Sequence, residues 1–197
     1  MIDTNLIEKV RAYCKSIIEE SRCKDLPFHN WKHTKDVVHA SKSIAYNENL
    51  PEEKIEELLI AAYFHDIGNI QGPVEHEDLS CEYAQGFLGK EVYASHRIEN
   101  VLNIINATKL PQNPKTLPQK IICDADLAHL GKKNFTTRNS MLRKEWSIFN
   151  DQKYTDEQWI NMNIDFLKNH NYHTEFAQKN YAQQKKENIE LLQVKLI

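Results

Sequence analysis

LLIAAYFHDIG, residues 58–68, is the stretch on which the fold turns. Seven apolar or aromatic residues run without a break, and an imidazole and a carboxylate follow at once. Leu58 and Ala61 stand at helical steps behind His65, and Leu59 and Ala62 stand likewise behind Asp66, so both polar side chains share a broad apolar helical stripe. An unpaired carboxylate buried there costs on the order of several kcal/mol. A divalent cation meets that cost and accounts for the neighbouring imidazole. The plainer alternative is an Asp66 that caps or ion-pairs at the helix end, just before the terminator Gly68.

Working outward, Pro51 opens this helix and the acidic residues after it complement the helix dipole. Apolar residues recur at steps of three or four in a first helix over residues 3–21 and in a second from the cap Asn30 to Asn47. Further helices are expected over residues 76–89, 91–108, 119–131, 136–149, 155–169 and 174–196. Five Gly and six Pro in 197 residues are too few for the frequent turns of a sandwich or barrel, and no alternating strand pattern occurs. The expected fold is all-α, a single helical domain over residues 1–197, and 41% apolar residues suffice for its core.

A formal charge of −3, with Lys185 and Lys186 beside Glu187 as the richest basic stretch, gives no footprint for nucleic acid. Four separated cysteines form no CxxC pair and read as reduced, mostly buried thiols. No signal-like start and no run of about 18 apolar residues is present, so a cytoplasmic protein without a membrane span is expected.

Two more helices put costly polar groups on apolar faces. His33 shares a face with Val37, Ser41 and Ile44, and Asp126 has Ile122 four residues behind it and Leu130 four ahead. Taken alone, a histidine such as His33 is more often a hydrogen-bonded core residue than a ligand. With His65, Asp66 and Asp126, one shared metal satisfies every group. Asp124 interrupts the same run as Asp126, either orienting a ligand histidine or lying on the helix surface.

The order H, HD, D, here His33, His65 with Asp66, and Asp126, resembles the HD superfamily of metal-dependent phosphohydrolases. FHNWKHTKDVV (28–38), LLIAAYFHDIG, HEDLS (76–80), INATK (105–109) and DADLAHLG (124–131) look like consecutive blocks of its bacterial members. They delimit an HD core of about 28–131 and a C-terminal helical extension, 132–197. FHNWKH is also similar to the HNxxH block of cyclic-nucleotide phosphodiesterases. Carried over, that likeness makes His29 the general acid on the leaving oxygen and His33 a ligand; a loop histidine stacked on Trp31 is the other reading of His29.

The resemblance implies one strong divalent-metal site (Mn, Mg, Co, Ni, Fe or Zn), with Asp66 also placed to orient the attacking water or take its proton. His76 is the candidate for a second metal or a further catalytic role, whereas His96 is expected to face solvent. Lys109 and Arg143 are the candidate phosphate-binding cations, and His170 and His173 read as solvated loop residues. The expected substrate is a small phosphorylated molecule, a nucleotide mono- or diester. The alternatives are a regulatory HD module without turnover and an alarmone hydrolase, whose acidic pair after HD is missing here.

Overall fold

The computed structural model describes residues 2–196, so the first and last residues of the expected domain lie outside it. Among the described residues the chain forms nine α-helices: α1 (Thr4–Glu20), α2 (Trp31–Asn47), α3 (Glu52–Phe64), α4 (His76–Lys90), α5 (Ser95–Asn106), α6 (Leu117–Asp126), α7 (Phe135–Phe149), α8 (Asp156–Asn169) and α9 (Glu175–Val194). Short 3-10 turns join α1 to α2, α3 to α4 and α6 to α7. The all-α expectation holds, and no helix among the described residues is long and apolar enough to cross a membrane.

Local chemistry sets the boundaries. Asp3 Oδ1 accepts from Leu6 N to start α1, Asn30 Oδ1 accepts from Lys32 N to start α2, and Thr155 with Gln158 forms a capping box at α8. The fifth helix begins at Ser95, later than the pattern suggested, because Val92 takes a left-handed φ of 55° that no helix accommodates.

Helix α3 is the centre of the bundle, touching α1, α2, α4, α5 and α6, and it is buried from Ile55 to Phe64. Glu56 and Glu57 are part of that buried run. Arg97 of α5 approaches both, with Nη1 3.0 Å from Glu56 Oε1 and Nε 3.0 Å from Glu57 Oε1, so partners other than the helix dipole balance them. A second apolar cluster of Leu127, Leu130, Phe135, Ile164, Leu167 and Leu192 seats α7, α8 and α9 against the turn after α6.

Three expected site residues are placed differently from the periodic pattern. Helix α3 ends at Phe64, so His65 is its C-cap and Asp66 begins the following 3-10 turn. Asp126 is the last residue of α6, and its side chain is about one-fifth exposed rather than mid-stripe. These candidate ligands thus stand where a helix stops, and backbone direction can aim them at a shared point.

Asp124 neither orients a ligand histidine nor lies on the surface. It is fully buried, with Oδ1 accepting from His173 N (2.8 Å) and Oδ2 from Thr174 N (2.8 Å) and Thr174 Oγ1 (2.7 Å). The carboxylate ties the N-terminus of α9 to α6. Asp124→Ala strands these donors and is expected to cost about 3 kcal/mol, or roughly 10 °C in Tm. An unchanged thermal midpoint would show that α9 is held by its apolar face alone.

Candidate metal centre

His33 Nε2 lies 3.2 Å from Asp66 Oδ2 and 3.1 Å from Asp126 Oδ1. His65 Nε2 lies 3.2 Å from the same Asp66 oxygen and 3.7 Å from the same Asp126 oxygen. His33, His65 and Asp66 each contribute a donor atom to a group within 4.8 Å of one another. Yet, among the described residues, His33 Nε2, His65 Nε2 and Asp66 Oδ2 are buried without an aligned hydrogen-bond partner. Two orphaned imidazole nitrogens and an orphaned carboxylate oxygen, aimed at one point, fit a divalent cation of borderline character.

His65 is prepared for that task. Its Nδ1 donates to Ala62 O at 2.9 Å, using a carbonyl left free by the end of α3, which leaves the Nε2 lone pair facing the cluster. The charges are set accordingly. Burial alone would lower the pKa of His65 and of His33, but the carboxylates of Asp66 and Asp126 outweigh it and raise both. Burial would raise the two carboxyl groups, and the neighbouring histidines instead hold both below the usual carboxylate range.

Helix α4 is pressed onto this corner. Gly68 carries no left-handed φ and is not a helix terminator; a Cβ there would stand 1.9 Å from His76 O. Gly68 N donates to Ser80 Oγ (2.9 Å), which donates to His65 O (2.9 Å). The approach brings His76 Nε2 to 3.3 Å from Asp66 Oδ1, while Nδ1 donates to Pro73 O. Burial pulls the His76 pKa down, but Asp66 overrides it and raises it to about 9. Asp66 therefore faces His33 and His65 with one oxygen and His76 with the other.

His29 is not stacked on Trp31, whose ring lies on Tyr63 instead. Its Nδ1 bonds to Glu145 Oε1, and its backbone N and that of Phe28 donate to Glu145 Oε2 at 3.0 and 2.7 Å. Burial would raise the Glu145 pKa, but these donors, the His29 side chain foremost, bring it below normal. Sequence reasoning missed Glu145 and also Arg138, two turns earlier on α7. The available signal was that Phe135, Arg138 and Glu145 share one helical face.

Lys109 pairs with Asp78 of α4 at 2.5 Å. Arg143 pairs with Asp156 at 2.7 Å and donates to Tyr154 O, among residues other than those bordering the cluster. His96 is exposed as expected. His170 is not solvated: it is half-buried, neither ring nitrogen has a hydrogen-bond partner among the described residues, and burial drives its pKa down to about 4.

The model of the HD domain family matches residues 30–130, just over half of the chain, and the chain belongs to that family. No curated protein matches it by sequence. Solved structures do resemble it. A protein from Lactobacillus plantarum superposes with a TM-score of 0.73 at 14% identity, covering 100% of this chain and 98% of that one. Bacillus subtilis YpgQ in complex with ADP gives 0.67 at 16% identity over 95% and 94% of the two chains. A predicted HD superfamily hydrolase from an uncultured Thermotogales bacterium gives 0.64 at 20% identity over 99% and 92%. At such identities the likeness shows the shared fold.

Proposed function

We propose that the chain is a metal-dependent phosphohydrolase that cleaves a phosphomonoester or phosphodiester bond in a small nucleotide-like substrate. The convergence of three buried, unpartnered donor atoms from His33, His65 and Asp66 carries this reading. Membership in the HD family and the fold shared with YpgQ, a protein seen with ADP, support it. His33, His65, Asp66 and Asp126 would hold the cation, with His76 available beside the second oxygen of Asp66 for a further ion or a substrate oxygen. A divalent cation supplies Lewis acidity toward a phosphoryl oxygen and an attacking water. His29, backed by Glu145, delivers a proton from Nε2 to the departing oxygen, and Asp66 orients the water.

The test is chelator-stripped protein, reloaded singly with Mn, Mg, Co, Ni, Fe or Zn and assayed on a panel of nucleotide mono- and diesters. At least one metal should give turnover and raise Tm by several degrees. A protein inert with every metal and substrate refutes phosphohydrolysis, and nucleotide binding without product leaves the regulatory module standing.

The gain in Tm should also depend on pH. The raised His76 pKa means that its ion pair stabilises the metal-free fold fully below pH 6.5 and progressively less as pH rises through about 9. Cation binding instead needs neutral imidazoles, so it strengthens as protons leave. The Tm difference between loaded and stripped protein is therefore expected to widen from pH 6 to pH 9. A constant difference would mean that the cation does not bind at these histidines.

A further inference from the structure

Arg138 is buried, 5% exposed, yet no carboxylate lies within ion-pair distance of it among the described residues. Its Nη2 stands 3.2 Å from His33 Nδ1 and its guanidinium lies over the Phe28 ring at 4.1 Å. An aromatic face and a ring nitrogen offset only a small part of the desolvation of such a cation, and although Asp36, Glu145 and Asp126 act on it from beyond ion-pair distance, burial outweighs them and lowers its pKa. Arg138 lines a cavity of about 160 Å³ together with His33, with Lys32 and Lys132 as further cations and Asp36 and Asp126 as the opposing acids.

We propose that this cavity is a phosphate subsite with Arg138 as its buried anchor, and that it takes the phosphate next to the scissile one in a phosphoanhydride substrate such as a nucleoside diphosphate. The inference rests on the phosphohydrolase reading and narrows its substrate class. The two nitrogens of His33 look out along different ring edges, one toward Arg138 and the other toward Asp66 and Asp126. A phosphate on the guanidinium is thus one ring-width from a phosphate beside the carboxylates, which suits neighbouring phosphates better than two oxygens of the same phosphate.

The tautomer points the same way. His33 has no carbonyl at Nδ1 such as Ala62 provides for His65. Once His33 ligates through Nε2, Nδ1 carries the hydrogen and meets an Arg138 N–H donor to donor. The guanidinium is then better placed turned into the cavity, where its planar fork suits a phosphate.

Calorimetric titration of the Mn-loaded protein with imidodiphosphate and with orthophosphate tests this, while turnover of p-nitrophenyl phosphate is followed in parallel. The expected result is at least thirty-fold tighter binding of imidodiphosphate, falling to three-fold or less in Arg138→Gln and to an intermediate value in Arg138→Lys. Lys32→Gln and Lys132→Gln, at the rim, should each reduce the preference about three-fold even if Arg138→Gln fails to fold. Equal affinity for the two anions, or a preference that persists in every folded variant, overturns the subsite even if p-nitrophenyl phosphate is cleaved. A preference that depends on Arg138 in a protein inert with every metal on the nucleotide panel and on nucleoside diphosphates upholds the subsite and removes the hydrolase reading instead.

Discussion

Asp66→Ala is expected to reduce turnover by roughly 10³-fold or more, about 4 kcal/mol of barrier, and to leave the purified protein with almost no bound metal. The size of the effect follows from how many groups one side chain serves. Asp66 Oδ2 lies 3.2 Å from both His33 and His65, and Oδ1 lies 3.3 Å from His76. Its removal leaves Asp126 as the single carboxylate beside the two buried imidazoles. Asp66→Asn keeps the shape but not the charge and should fall between the two, retaining some metal at high concentration. Elemental analysis beside the rate measurement decides the matter: a variant that keeps stoichiometric metal and near-native turnover would remove Asp66 from the ligand set.

His29→Gln and Glu145→Gln are each expected to lower kcat by roughly 10²-fold on substrates with a poor leaving group. With p-nitrophenolate, which departs without a proton, the loss should be far smaller. On the proposed mechanism Glu145 is a positioning residue that acts through His29, so the double variant should be little worse than either single one. Equal losses for good and poor leaving groups would leave Glu145 only as the anchor of the Phe28–His29 backbone.

Much of the helical framework and the ligand candidates could be read from residue order. The 3.6-residue period exposed His33 on the inner face of α2, and the apolar run before His65 and Asp66 marked a buried helix. The period could not show where helices stop: α3 ends one residue before His65, and α6 ends on Asp126. Those endings are set by neighbours, such as the close approach of α4 that requires Gly68.

The missed residues and the misread role of Asp124 share one cause, partnership across long stretches of chain. Asp124 meets Thr174, and Glu145 meets His29, pairings that no local pattern specifies. On α7 the helix register decides which charge enters the core: Arg138 turns inward and Arg143 outward to Asp156.

The proposed ligands come from positions 33, 65, 66 and 126, and the turn that aims His65 depends on the last carbonyls of α3. A cation can therefore collect its full coordination only after α2, α3 and α6 have docked, late on the folding pathway. Interactions absent from the folding transition state slow unfolding rather than speed folding. The metal would act as a lock on the finished bundle rather than a seed for it, lengthening the lifetime of the native chain without hastening its assembly.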